Sequence, residues 1–278
     1  MSGQPQITYD SDAPRRPLID EFSNFWQQRA LIRLLVTSDL TVRYKRSILG
    51  VWWTLLGPFL TTMVMWMVFS QIFRRSGQDV PFIVYLLSGV LLISTFFSQG
   101  VLATGASLVS SGGILSKMRV PGEIFAATAA VAAAVNFLIG LIPLAVVMAF
   151  TRTPFKWTWV LIPIPTFFML LLVIGLGMLV AAAAVHWYDV LEFVRIIIML
   201  SVWLVPTFYP LDIIPEWALP IVKANPLYSY LVVFRYYVYG GGLIEPWHYA
   251  MMVGSALAML VIGVWVFSRS WRSLVVKL

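Results

Sequence analysis

SILGVWWTLLGPFLTTMVMWMVFSQIF, residues 47–73, runs for 27 residues without an Asp, Glu, Lys or Arg. A helix that crosses the hydrocarbon core of a bilayer needs about 20 mostly apolar residues, so this stretch reads as a membrane span. Outward from it the pattern recurs, with uncharged runs of 37 residues at 80–116, 28 at 124–151, 32 at 157–188 and 23 at 246–268. The run at 196–211 holds only 16 residues, so its helix is expected to begin earlier, near Val190. The whole chain agrees. Of 278 residues 60% are apolar and 11% charged, with a mean hydropathy of +0.87, against about 25% charged in a soluble domain. A soluble globule of this size has no interior large enough for so much apolar surface, which excludes a soluble enzyme. The absence of Cys excludes disulfides, zinc–thiolate sites and iron–sulfur clusters. His186 and His248 are the two His in the chain, too few for a His-rich metal site.

The expected fold is an all-α integral membrane protein with six transmembrane helices, at about 49–73, 80–107, 122–150, 157–185, 190–209 and 247–268. Residues 1–20 read as a disordered cytoplasmic tail. They lack the basic start and early apolar run of a secretory signal. A single transmembrane domain follows over 21–278, opening with an amphipathic interface helix at 22–46. Residues 227–239 are too short to cross and hold Arg235; they read as part of an outer re-entrant region between spans five and six. With the N-terminus inside, thirteen Lys and Arg fall on the cytoplasmic side and six on the outer side. That bias places both termini in the cytoplasm of a multi-pass protein.

Several segments carry chemistry. In 22–46, Phe22, Phe25, Trp26, Ile32, Val36 and Leu40 recur at helical spacing among Arg29, Arg33, Arg43 and Lys45. Such a helix lies in the headgroup plane. It serves as a topology anchor, or it brings Arg43, Lys45 and Arg46 to the phosphates of a lipid or lipid-linked substrate. The inner loop SSGGILSKMRVPGE, residues 110–123, is either a plain connection or a short helix that docks on a cytoplasmic partner through Ile114, Leu115, Lys117, Arg119 and Pro121. Asp189 and Glu192 suit the positive end of the fifth span's dipole. No acid or base falls near the middle of any span, where ion-coupled transporters keep them; Gln99 and Asn136 are the main polar groups there. No G-x-x-x-x-G-K-[ST] loop is present, so this chain does not hold ATP by that device. Trp53, Phe59, Trp66, Phe96 and Trp203 fall in spans. Each is lipid-facing filler, or its ring face stacks on the C–H face of a sugar. A charge-poor path with aromatic rings suits a neutral glycan better than an ion.

Three segments together resemble one family. DLTVRYKRSILGVWWTLLGPFL (39–60) is similar to its entry into the first span. GGILSKMRVPGEIF (112–125) resembles its N-x-x-L-I-x-K-x-x-F-P-R loop, with Gly122 at the Arg position. TFYPLDIIPEWALPIVKANPLYSYLVVFR (207–235) resembles its S-P-V-x-Y-P…I-P…N-P…R signature, the most specific of the three. The family is the ABC-2 type permease, of the Wzm/TagG-like kind that exports O-antigen, teichoic acid and related polysaccharides. Where the family shows Arg-Asp before the fifth span, this chain has Tyr188-Asp189.

The resemblance implies a permease subunit, not an enzyme, in a bacterial inner or plasma membrane. It implies a homodimer joined to two copies of an ABC ATPase, which would carry ATP and Mg while this chain carries no cofactor. The helix at 22–46 would be the gate, the loop within 110–121 the ATPase coupling element, and the first and fifth helices would line a channel between subunits. The cargo would be a lipid-linked glycan moved from the cytoplasmic to the outer face. The acidic, Pro-containing tail resembles actinobacterial members, which points to cell-wall galactan of the mycobacterial type. An exporter of a small lipid or drug, or a passive channel, is the alternative; nucleic acid has no part in either.

Overall fold

The computed structural model of the protein describes residues 28–44, 50, 52–72, 80–111, 113, 121–241 and 244–277. The side chains of 39–40, 42–44 and 271–277 fall outside that description, as do the tail at 1–20 and the start of the interface helix. Every regular element among the described residues is helical. We label them α1 (Arg29–Tyr44), α2 (Trp52–Phe69), α3 (82–110, in three sections), α4 (Glu123–Phe150), α5 (Pro163–Ala184), α6 (Asp189–Trp203), α7 (Leu219–Ala224), α8 (Pro226–Tyr239) and α9 (Pro246–Lys277). Five stretches among the described residues are long and apolar enough to cross a membrane: α2, α3, α4, α5 with its leading 3₁₀ turn, and α9. The remaining expected span, the fifth at 190–209, corresponds to α6. At 15 residues it is about 22 Å long at 1.5 Å per residue, short of a hydrocarbon core of about 30 Å. Asp189 and Glu192 do occupy its first turn, where negative charge favours the helix dipole.

The bundle is built around α3, α4, α5 and α9, while α2 and α6 lie at its margin. Most of α3 is buried, and Thr62 is the one buried residue of α2. Small residues let the central helices approach. A Cβ on Gly177 of α5 would collide with the Thr104 side chain of α3, and one on Gly263 of α9 would run into the Gly175 carbonyl of α5. Without a solvent-driven hydrophobic effect between helices, such close van der Waals packing is what holds membrane helices together. Phe96, Phe137 and Phe234 fill the space where α3, α4 and α8 meet, with ring centroids 5.1 and 5.5 Å apart.

One end of the bundle is tied by Arg235. Although it sits in a segment too short to cross, it is 7% exposed. Its guanidinium donates to the carbonyl oxygens of Pro206 (2.8 Å), Tyr85 (3.0 Å) and Thr207 (3.2 Å) and to Ser88 Oγ (3.4 Å). It also stacks 3.5 Å over the Tyr85 ring. The Tyr85 hydroxyl donates to Pro206 O and Tyr209 O at 2.8 and 2.7 Å. One cation thus fastens α8, the top of α3 and the segment after α6. Prolines shape this region, as their spacing in the sequence suggests. Pro220 lies in the first turn of α7 and Pro226 opens α8, where Asn225 Oδ1 accepts from the Leu227 N–H at 3.1 Å. Gly240 closes α8 at φ 79°, a left-handed cap suited to glycine. The Thr158 hydroxyl and Trp159 indole donate to the Tyr237 and Val238 carbonyls at 2.7 Å each.

Candidate functional site

A cavity of about 620 Å³ lies between α2 and the α3–α4 pair, within the roughly 300–1,000 Å³ range of small-molecule sites. Its α2 wall is made by Trp53, Thr54, Gly57, Pro58, Thr61 and Met65. These fall near i, i+4, i+8 and i+12, so they form one face of the helix. They cover twelve residue steps, about 18 Å of axis, which makes the cavity a slot. A Cβ on Gly57 would meet nothing within 4 Å; glycine here leaves the slot open. Pro58 has no N–H for the helix ladder, so α2 is weakest beside that opening.

The opposite wall depends on an irregularity of α3. Phe82–Gly89 and Gln99–Ser110 are α-helical, but Val90–Ser98 winds as a π-helix. Val90, Ser94, Thr95 and Gln99 all line the slot. At 3.6 residues per turn, the nine steps from Val90 to Gln99 make two and a half turns, which puts them on opposite faces. The wider i→i+5 winding covers the same steps in about two turns and brings them onto one face. The π segment therefore assembles this wall. Asn136 of α4 completes it, and Phe208 stands beyond the end of α6. The Asn136 Oδ1 is buried and accepts no hydrogen bond.

Among the described residues, the lining holds no Asp, Glu, Lys, Arg or His. Hydroxyls and amides can exchange hydrogen bonds with a neutral ligand, and Trp53 and Phe208 offer ring faces. Acid–base or nucleophilic chemistry has no group to perform it here.

Of the aromatics that stand out in the sequence, Trp53 lines this slot and is 54% exposed. Phe59 packs against the main core. Trp66 faces outward, 38% exposed, and Trp203 is 52% exposed with its ring 5.3 Å from Phe208. Phe96 is fully buried against Phe137 and does not line the slot. Pro121 is buried just before α4. Ile114, Leu115, Lys117, Arg119, Lys45 and Arg46 lie outside the described residues, as does the side chain of Arg43 at the end of α1. Gln99 and Asn136 are visible in the sequence as polar groups within spans. Thr61, Ser94, Thr95, Gly57 and Phe208 do not stand out there; the signal available is hydroxyls and a Gly-Pro pair inside otherwise apolar runs.

A family model described as ABC-2 type transporter matches residues 30–239. The chain is 31% identical over 215 residues to the O-antigen export system permease protein RfbA of Myxococcus xanthus, an alignment covering 76% of this chain and 80% of the relative. It is 26% identical over 244 residues to the protein of the same name from Klebsiella pneumoniae, covering 86% of this chain and 91% of the relative.

Proposed function

The chain belongs to the ABC-2 type transporter family, and from that premise we propose that it is the membrane subunit of an ATP-driven exporter of lipid-linked polysaccharide. The observation that carries this reading is the slot beside α2, long, free of charge, lined by hydroxyls and amides and bounded by aromatic rings. Its lining suits neutral sugar units and leaves a travelling ion without a charged partner. The function that its relatives are named for, O-antigen export, supports the same class of cargo; a cell-wall galactan, likewise neutral, belongs to it as well, whereas the phosphates of a teichoic acid would meet no cation among the described lining residues.

Export of this kind needs an energy source. The chain holds no P-loop motif, so nucleotide hydrolysis would reside on a partner ATPase, with ATP and Mg bound there. Two copies of the chain and two of the ATPase would form the working unit, in a bacterial inner membrane with both termini cytoplasmic. The outward faces of α2 and α6 carry large exposed apolar side chains, among them Trp66, Met67, Ile197 and Trp203. These are the faces on which a second copy would pack. α6 would supply the fifth of six spans, and the segment from 211 to 239 would dip into the outer leaflet. Arg43, Lys45 and Arg46 would receive the pyrophosphate of the lipid carrier at the inner surface, and Ile114, Leu115, Lys117, Arg119 and Pro121 would transmit the ATPase stroke.

Reconstitution tests this. The chain and a candidate ABC ATPase from the same genome are placed in proteoliposomes with fluorescent polyprenyl-pyrophosphate glycan on the ATPase face. ATP-dependent appearance of glycan at the opposite face is expected, with loss of at least tenfold when Arg43, Lys45 and Arg46 are all replaced by Gln. Transport driven by a proton or sodium gradient without ATP, or movement of lipid with no glycan attached at an equal rate, would overturn the reading.

A further inference from the structure

We propose that Arg235 is a positioning residue of the slot: its guanidinium fixes Phe208 against the start of the π winding and so sets how wide the slot stands at that end. The bearing on cargo rests on the export reading. The positioning itself is a property of the chain that is measured without transport. Three observations carry it.

The first is what the guanidinium holds. α6 ends at Trp203, and the chain then turns through Pro206 and Pro210, which have no N–H to offer. The carbonyls of Pro206, Thr207 and Tyr209 have to find donors outside their own segment. Arg235 supplies the Pro206 and Thr207 oxygens. With Pro206 O so occupied, the one hydroxyl proton of Tyr85 is left for Tyr209 O at 2.7 Å. Phe208 therefore sits with a held carbonyl on either side, and its ring lines the slot. Without Arg235, the single Tyr85 proton has two carbonyls to serve.

The second is where the guanidinium is seated. It grips α3 at Tyr85 O and Ser88 Oγ, in the turn just before the π winding begins at Val90. Val90 lines the slot as well. At Gly89 between them, a Cβ would lie 2.9 Å from both Arg235 Nη2 and Thr207 O. A residue without a side chain lets the guanidinium and the Phe208 turn lie flush on α3. One group thus reaches the neighbour of two slot-lining residues, Gly89 beside Val90 and Thr207 beside Phe208.

The third is the charge. Arg235 is 7% exposed, and its hydrogen bonds run to three carbonyls and a hydroxyl. Burying a cation is costly, and apolar packing joins two helices at less cost. An ionisable residue enclosed in a membrane protein points to function. The planar fork, unlike an ammonium, presents several donors in fixed directions, so it holds the turn and α3 at once.

Fluorine NMR reads the place of the Phe208 ring. The full chain with 4-trifluoromethyl-phenylalanine at 208 is placed in lipid nanodiscs and observed well below its melting temperature. A second sample carries the label at Phe193, exposed near the start of α6. Arg235→Met, Arg235→Lys and Gly89→Ala should each shift or split the 208 resonance and leave the 193 resonance in place. Gly89→Ala acts from the opposite side: it keeps Arg235 and raises helix propensity, while its methyl presses on the guanidinium and on Thr207 O. In proteoliposomes with the ATPase, the glycan concentration for half-maximal export should rise about fivefold or more in Arg235→Lys and Gly89→Ala. The saturating rate should stay within about twofold of wild type, the pattern of weakened cargo binding. A merely structural role would lower the rate through loss of folded protein and leave KM where it was. An unmoved 208 resonance in all three variants, a shift at 193 as large as that at 208, or a fall in rate at constant KM would each overturn the assignment. The two readings fail separately. A wild type that exports glycan while the 208 resonance ignores all three substitutions sinks the positioning and leaves export standing. A wild type that exports no glycan sinks export, and the fluorine shifts alone then decide the positioning.

Discussion

Replacing Arg235 by Met removes a cation while keeping an unbranched apolar stem of similar reach. The contacts around the guanidinium set the cost. Pro206 O would keep the Tyr85 hydroxyl as donor, and Tyr85 O would keep the Ser88 hydroxyl at 2.9 Å. Thr207 O would lose its donor from Arg235, at about 1–3 kcal/mol for one buried acceptor. The stacking of the guanidinium on Tyr85 adds about 0.5–2 kcal/mol. Relief of the desolvation borne by a buried cation pulls the other way. The two losses add to about 1.5–5 kcal/mol, and the opposing relief brings the net to the lower part of that range, about 1.5–3 kcal/mol. At about 2–4 °C per kcal/mol for chains of roughly this size, Tm should fall by about 3–12 °C. Arg235→Lys keeps the charge but not the planar fork, so it should fall between Met and wild type. Fluorescence-detected size-exclusion of the purified chain after heating in detergent gives the numbers. A Met variant that melts within about 2 °C of wild type, less than the smallest shift expected, would refute the assignment of this side chain as the tie between α8, α3 and the segment after α6.

Packing dictates the remaining outcomes. Gly263→Ala should lower Tm markedly because its methyl runs into the Gly175 carbonyl. Gly254→Ala on the same helix, where a Cβ meets nothing within 4 Å, should be neutral or stabilising by up to about 1 kcal/mol; equal melting of the two would show that the helices do not touch there. Phe96→Ala removes a fully buried ring stacked on Phe137 and should cost about 3–5 kcal/mol. Trp203→Leu, at a half-exposed position, should stay within about 0.5 kcal/mol, as thermal unfolding in the same detergent would reveal.

The long spans are legible in the sequence because one physical demand, about 20 apolar residues without charge, writes itself as an uninterrupted run. α6 is less so. Its uncharged run begins only after Arg195, while the helix starts at Asp189 with both acids in its first turn. Arg235 reads in the sequence as one more outer charge. Charge tallies register a cation but not the carbonyls that surround it, and Tyr85 is 150 residues away in sequence. The slot shows the same limit. Gln99 and Asn136 stand out as polar groups in apolar runs, but their joint wall depends on the π winding of Val90–Ser98, and a 3.6-residue periodicity places Val90 and Gln99 on opposite faces. Phe96 and Trp203 look alike as aromatics in spans; only the packing of α4 separates a core ring from an outward one.

The contact of Gly175 with Gly263 has a mechanical consequence. Where two backbones touch, no side chain is present to yield, so neither helix slides or rolls past the other without prising the pair apart. α5 and α9 form a keel that keeps its shape through a working cycle. Widening or narrowing of any passage would then fall to the loosely seated marginal helices, above all α2, where Gly57 and Pro58 weaken the helix ladder.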